Sequence, residues 1–136
     1  ANTSRRIDVD AETDRVLELT GLRDIADRDV AHVPTGRARV VEVARALMTA
    51  PRLLLLDEPA SGQTDRESER FASLLRGLAG DGIAVCLVEH DLPLVMSLCS
   101  VVHVLDHGTL IASGTPAQVQ QSQAVVEAYI GTEAVA

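Results

Sequence analysis

The stretch LLLLDEP, residues 53–59, decides how this chain folds. Its four leucines show no alternation of apolar and polar residues, which is typical of a strand covered on both faces in a parallel sheet. Two acidic residues, Asp57 and Glu58, follow the leucines directly. Because parallel sheets bind ligands at the carboxyl ends of their strands, the stretch predicts a functional site where this strand ends.

A second strand of the same kind is predicted at residues 83–88, and it runs into the polar residues 89–91, EHD. Strands joined by a single helix lie parallel and side by side. We therefore expect Asp57 and His90 to open to the same edge of the sheet. The connecting helix is indicated by apolar residues spaced at i, i+3, i+4 and i+7, namely Phe71, Leu74, Leu75 and Leu78.

Three helical segments are predicted ahead of the first strand, and the second of them is short and holds Leu22, Ile25 and Ala26. Asp10 has the position of an N-cap, and Gly21 has that of the residue that ends the helix. The third helix begins near Gly36 and ends before Pro51. Its apolar stripe consists of Val40, Val43, Ala44 and Leu47.

Two pairs of residues have the spacing of a capping box, in which side chain and backbone satisfy each other at a helix start. Thr64 and Glu67 stand at the start of the helix between the strands, and Thr115 and Gln118 stand near the end of the chain. The second pair opens a helical tail that is predicted to end at Gly131.

A hairpin is predicted in the last third of the chain. The runs 101–105 and 109–112 flank the turn residues Asp106-His107-Gly108. Ahead of this hairpin, a further helix is indicated by the helical spacing of Leu92, Val95, Met96 and Cys99. With residues 101–105 as a third strand, the order strand-helix-strand-helix-strand predicts an α/β fold, a parallel sheet flanked by helices.

Composition excludes several classes of function. The net charge of −8 argues against binding to nucleic acid or docking on an anionic membrane surface. The uncharged residues 92–105 fall short of the ~20 needed to span a bilayer, and residues 1–6 do not resemble a signal peptide. Cys86 and Cys99 are interpreted as small buried apolar residues in a reducing cytoplasm. Taken together, these observations lead us to expect a soluble, intracellular protein.

The polar residues after the strands allow two interpretations. One acid can hold a hydrated Mg²⁺ while its neighbour orients an attacking water, and a histidine can position a γ-phosphate. Alternatively, Asp57 caps a helix beside a solvated Glu58, and His90 is a surface or capping residue.

Four motifs in order resemble those of ATP-binding-cassette (ABC) ATPases. Residues 53–59 look like the Walker B motif, and residues 41–47 resemble the helix after the signature loop. Ser61-Gly62-Gln63-Thr64 stands where the family has its D-loop, and residues 87–91 resemble the switch-histidine segment. The resemblance extends from Asp10 over nearly the whole chain and implies a partial P-loop NTPase core.

Further residues are similar to the ATPase subunits of branched-chain amino-acid importers. Val33-Pro34-Thr35-Gly36-Arg37, here called the signature loop, resembles their L-P-Y-G-Q. Residues 88–96, 114–116 and 127–131 also resemble theirs, although other importers and the lipopolysaccharide exporter ATPase share parts of this pattern.

The resemblance implies roles for the residues after the strands. Asp57 would contact Mg²⁺ through water, Glu58 would activate the hydrolytic water, and His90 would contact the γ-phosphate of ATP. The D-loop residues Ser61, Gly62 and Thr64 would also contribute to the nucleotide site.

The signature-loop residues Pro34, Thr35, Gly36 and Arg37 would face the ATP held by the opposite subunit. A helix start offers free N–H groups and a positive dipole end to phosphate, and glycine allows close approach. Three residues depart from the family pattern: Thr35, Arg37 and Thr64. Arg37 could meet phosphate or be an exposed arginine at a helix start, and both interpretations stay open.

The chain contains no lysine, so it cannot hold a P-loop, whose lysine reaches the β- and γ-phosphates. The resemblance implies a single partial domain at 1–136. Residues 10–50 would be the end of the helical subdomain with the signature helix, and 51–136 the C-terminal half of the catalytic core. We expect a fragment that is inactive alone; the alternative is a non-catalytic ABC-like module that docks on a partner subunit.

The partners implied are a second ATPase subunit, forming a homo- or heterodimer across ATP, and transmembrane permease subunits. The intact subunit would lie in the cytoplasm on the inner face of the cell membrane, without a span of its own.

Overall fold

The computed structural model describes residues 8–129 and divides into two compact units, one ending at Glu89 and one beginning at His90. The first unit contains the helices α1 (Val9–Thr20), α2 (Thr35–Leu47) and α3 (Asp65–Gly80), the strands β1 (Leu53–Asp57) and β2 (Ala84–Val88), and two 3-10 turns, Arg23–Ile25 and Val30–His32. The second contains α4 (Leu92–Leu98), β3 (Val102–Asp106), β4 (Thr109–Gly114), α5 (Pro116–Gln120) and α6 (Gln123–Tyr129).

The parallel pair predicted from the two apolar runs is confirmed. β1 and β2 pair in parallel, with Leu53 opposite Ala84 and Asp57 opposite Val88. The Glu58 N–H donates to the Val88 carbonyl at 2.9 Å, which continues the ladder one residue past β1. The carboxyl ends of both strands therefore lie at the same edge of the sheet.

The connecting helix α3 starts and packs as predicted. Both halves of the capping box between Thr64 and Glu67 are present. The stripe residues Phe71, Leu75 and Leu78 are buried, and α3 packs against β2.

One face of the β1–β2 pair is covered and the other is exposed, so the expectation of a strand covered on both faces is wrong. Leu54 is 3% exposed, whereas Leu53 and Leu55 are 51% and 74% exposed. Val88 is 63% exposed on the neighbouring strand. Cys86, opposite Leu55 in the register, is also exposed, which corrects its interpretation as a buried residue; Cys99 is half-buried.

The helices α1 and α2 pack together and form the remaining core of the first unit. α1 begins earlier than expected, because Asp8 and not Asp10 is its N-cap and accepts the Ala11 N–H. Gly21 ends α1 with φ 67°, the left-handed conformation that glycine adopts readily. The side chains buried here are Val16, Leu22, Ile25, Val43, Ala44 and Leu47.

The second unit corrects one expectation and confirms another. β3 pairs with β4 in an antiparallel sheet of its own and does not join β1 and β2 as a third parallel strand. The hairpin itself is as predicted: His107 and Gly108 both have positive φ, as the tight two-residue turn requires.

The helical tail is divided. The capping box of Thr115 and Gln118 starts α5, which stops at Gln120, and α6 follows as a separate helix. Gly131, where the tail was expected to end, lies outside the described residues. Within residues 8–129, no helix is both long enough and apolar enough to cross a membrane.

Candidate functional site

Asp57 and Glu58 occupy the end of β1 at the carboxyl edge of the parallel pair, and both side chains are exposed. Glu58 has φ 44°, a left-handed conformation that is unfavourable for a residue other than glycine. Such backbone strain persists only where the surroundings fix it, and it is common at functional sites.

The turn after Glu58 is held by several hydrogen bonds. Ser61 N–H donates to the Glu58 carbonyl at 3.1 Å, and Pro59 between them is buried. The Ala60 N–H donates to the Glu89 carboxylate at 2.8 Å, a contact between residues 29 positions apart. These bonds fix the backbone that carries the two acids.

The D-loop continues from this turn into the start of α3. Gly62 has φ 75°, and a Cβ placed on it would lie 3.5 Å from the Thr35 methyl group, so the D-loop approaches the signature loop. Thr64 is the N-cap of α3 and accepts the Glu67 N–H. Hydrogen bonds from the Thr64 N–H and hydroxyl lower the pKa of Glu67.

Thr64 stands where the family has Asp or Asn. All three residue types are good N-caps, because each offers a side-chain oxygen to a free N–H of the first turn. Thr64 fills the N-cap position of α3, which Asp or Asn could also fill.

The signature loop leads into α2, whose first residue is Thr35. Pro34 precedes it with an extended ψ of 145°, and its side chain has no acceptor to offer the free N–H groups of the helix start. Gly36 is buried, and a Cβ there would come 2.7 Å from the Glu67 Oε1, so the end of the Glu67 side chain would have to shift.

Arg37 is held by its own chain. Its two terminal guanidinium nitrogens donate to the two Asp24 carboxylate oxygens, both at 2.6 Å, and Nη2 also donates to the Gly21 carbonyl at 2.8 Å. The bond from Arg37 lowers the pKa of Asp24, and the same contact raises the pKa of Arg37. Arg37 is thus half-buried and held in an ion pair of its own chain. Its role toward a phosphate stays a prediction.

An open cleft of about 620 Å³ lies beside the signature loop within the first unit. Gly36 and Arg37 line it together with Asp24, Glu67 and Arg70. Its charges are of both signs, so the cleft has no clear preference for an anion.

His90 begins the second unit and is exposed. The capping role that His90 was one candidate for is filled by Asp91, whose carboxylate accepts the Leu94 N–H at 3.1 Å at the start of α4. The role of His90 toward a phosphate stays a prediction.

The acids at β1 suit a water-mediated magnesium contact. Mg²⁺ keeps several waters and is bound in nucleotide sites by one or two carboxylates together with phosphates. Asp57, exposed at the end of a strand, is such a carboxylate. Among the described residues there is no cluster of three or more His, Cys, Asp or Glu that could hold a metal without added waters or phosphates.

Two contacts of this site were missed from the sequence. Asp24 and Glu89 each bind a predicted site segment, but across 13 and 29 positions respectively. Spacing rules for helices and turns cover only close neighbours, so no pattern in the sequence points to either contact.

The sequence matches two family descriptions. Residues 2–61 match "ABC transporter", and residues 109–135 match "Branched-chain amino acid ATP-binding cassette transporter". Among solved structures, a nucleotide-free ATP-binding cassette from an ABC transporter superimposes with a TM-score of 0.84 at 27% identity, over 94% of this chain and 52% of that chain. The ADP conformation of another such cassette gives 0.82 at 29% identity, over 90% and 50%.

The chain thus has the fold and sequence features of part of the ATP-binding cassette of ABC transporters. It is similar to the high-affinity branched-chain amino acid transport ATP-binding protein BraF of Pseudomonas aeruginosa, 38% identical over 85% of this chain. It is also similar to LivG of Escherichia coli K12, a protein of the same description, at 36% identity over the same share. The chain spans 46% of the length of each of these relatives.

Proposed function

We propose that this chain is the C-terminal part of the ATP-hydrolysing subunit of an ABC transporter that imports branched-chain amino acids. The observation that carries the proposal is the exposed pair Asp57–Glu58 at the carboxyl end of a parallel strand. The Glu58 N–H is bonded to Val88 of the neighbouring strand, which holds the pair at this edge of the sheet. The similarity to branched-chain amino acid transport ATP-binding proteins supports the choice of substrate.

In this proposal Glu58 is the general base. Its carboxylate orients the attacking water and accepts its proton as the water oxygen bonds to the γ-phosphorus and ADP leaves. Asp57 would hold, through a water, a Mg²⁺ ion, and that ion would neutralise charge on the phosphates. His90 contacts the γ-phosphate.

The signature loop and the D-loop serve the second nucleotide of a dimer. The N–H groups at the start of α2, at Thr35 and Gly36, suit a phosphate, because a helix start is the positive end of its dipole. Gly62 of the D-loop lies close enough to Thr35 for the two loops to act on the same ligand. Pro34, Arg37, Ser61 and Thr64 complete this surface.

The complete subunit would contain parts that this chain lacks and would act together with other subunits. The subunit would carry a P-loop elsewhere in its sequence, pair with a second ATPase subunit, and dock on permease subunits at the inner face of the membrane. Residues 10–50 would belong to the helical subdomain and 51–136 to the catalytic core. The absence of lysine and the match to about half of each relative support the proposal that the P-loop lies in another part of the subunit.

One observation favours a second candidate function. Because Arg37 is tied to Asp24 and Gly21, this signature-loop residue is engaged within its own chain. A non-catalytic ABC-like module that docks on a partner subunit would need no signature-loop contact to ATP.

The test uses the complete subunit, assembled with its permease in vesicles that enclose ATP. We expect ATP-dependent uptake of leucine, isoleucine and valine and no uptake of a charged amino acid. Assembly without ATP hydrolysis would favour the docking module, and so would a coding sequence without a P-loop upstream of Ala1.

A further inference from the structure

The turn that carries Glu58 is hydrogen-bonded at two points, once to β2 and once to the residue that follows β2. The first is the bond from the Glu58 N–H to the Val88 carbonyl at 2.9 Å, which involves backbone atoms and does not depend on a side chain. The second is the bond from the Ala60 N–H to the Glu89 Oε1 at 2.8 Å, which does depend on one. Both points lie within the first unit.

The second bond has the features of a strong, specific contact. Its acceptor belongs to a carboxylate, and bonds to charged acceptors are shorter and stronger than those between neutral groups. Because the contact is partly buried, truncation of Glu89 would leave the Ala60 N–H without its acceptor.

The turn needs such support. Glu58 is in a left-handed conformation that a glutamate does not prefer, and Ser61 closes the turn by bonding to the Glu58 carbonyl. A residue in this conformation returns to a relaxed one unless the flanking backbone is fixed. Ala60 lies between Glu58 and the D-loop, so fixing its N–H fixes both.

We propose that Glu89 is a positioning residue that sets the location of the Glu58 carboxylate by holding the backbone of Ala60. The inference rests on the proposed role of Glu58 as general base. A base that is displaced by about 1 Å can lose on the order of 10²-fold in rate, so a single lost anchor is enough to matter. Glu89 itself need not touch ATP or water.

The first test uses the 136-residue chain and amide hydrogen exchange. In Glu89→Ala, the Ala60 amide should exchange at least about tenfold faster, while the amide of Leu75 in α3 keeps its rate. Glu89→Gln keeps an amide oxygen as acceptor and should leave the Ala60 rate within about threefold of the parent. Glu69→Ala removes an exposed glutamate from α3 and is the matched control.

Two results of this test would overturn the proposal. An Ala60 rate unchanged in Glu89→Ala would mean that the bond does not hold the turn. Equal acceleration at Ala60 and Leu75 would mean that Glu89 stabilises the whole unit and does not act on the turn alone.

The second test uses the complete subunit and separates kcat from KM. Glu89→Ala should lower kcat by about 10- to 100-fold with the KM for ATP nearly unchanged, and Glu89→Gln should restore kcat to within a few-fold. A kcat for Glu89→Ala equal to that of Glu69→Ala would overturn the assignment of Glu89 alone. An inactive parent would instead overturn the proposed function, while the exchange test would still decide whether Glu89 holds the turn.

Discussion

Arg37 and Asp24 form a two-point ion pair in which each carboxylate oxygen accepts a guanidinium N–H at 2.6 Å. The pair ties the first turn of α2 to the 3-10 turn that follows α1, and the Gly21 carbonyl adds a third bond to the same guanidinium. Parallel two-point bonds of this kind fix geometry as well as charge. The signature loop is therefore held in place from within its own unit.

This ion pair makes the stability of the chain depend on pH. Because the bond from Arg37 lowers the pKa of Asp24, the folded state binds fewer protons than the unfolded state near that pKa. The contribution of Asp24 is fully present above the ordinary pKa of an aspartate and is lost as the pH falls through the lower folded pKa. Asp24→Asn should therefore be less stable than the parent at pH 7, and the difference should shrink towards pH 2.

Urea unfolding across this pH range measures the difference directly. Asp27→Asn is the matched control, since Asp27 is an exposed acid in the same connection. An equal loss of stability at pH 7 and pH 2 in Asp24→Asn would contradict the pairing.

The capping box at α3 gives a second prediction. Thr64→Ala removes the acceptor for the Glu67 N–H and should destabilise the chain by about 1 kcal/mol, whereas Thr64→Ser should retain the cap. Urea midpoints at neutral pH are the measurement. If Ala and Ser variants unfold together, the box does not contribute to stability.

The exposed face of the β1–β2 pair predicts association of the isolated chain. Leu55 is 74% exposed and lies opposite the exposed Cys86, beside exposed Val88. Contiguous apolar surface of this kind drives self-association and binds hydrophobic dyes. Leu55→Ser should reduce both effects with little change in stability, while Leu54→Ala should cost about 2–5 kcal/mol because Leu54 is buried.

Sedimentation and dye fluorescence at increasing concentration test this prediction. If the parent chain is monomeric and binds no dye, the exposed face of the β1–β2 pair is not a surface that other parts of the protein normally cover.

The chain alone should neither bind ATP tightly nor hydrolyse it. Phosphate recognition in P-loop ATPases depends on backbone N–H groups and a lysine of the P-loop, and the chain has no lysine. Calorimetric titration should show no binding at micromolar ATP. A micromolar dissociation constant would mean that the chain binds the phosphates of ATP without a P-loop.

Apart from the parallel pair β1–β2, which the strand-helix-strand order predicts, the features predicted correctly from sequence are those that close neighbours determine. The box of Thr64 and Glu67 spans three positions, and the hairpin turn needs only His107 and Gly108 to adopt positive φ. The helix start was misplaced because Asp8 and Asp10 are equally good N-caps, and only the fold of the chain selects one.

Beyond that pair of strands, the sequence could not predict which groups meet across long separations. β3 has the apolar pattern of a strand, but the pattern does not say whether it joins β2 or pairs with β4. For Arg37 likewise, no pattern in the sequence pointed to Asp24, 13 positions earlier, as its partner. Which face of the β1–β2 pair is covered depends on where the helices pack, as α3 does against β2, and periodicity alone does not give that position.

The central claim is that Glu58 is the catalytic base, and the most direct measurement is steady-state ATPase of the complete subunit carrying Glu58→Gln, beside its ATP binding. The substitution keeps the shape of the side chain and removes the carboxylate that accepts the proton. Turnover should fall by about 10²–10⁴-fold while ATP binding persists, and Glu69→Gln should keep parental activity. Turnover of Glu58→Gln within a few-fold of the parent would contradict the account.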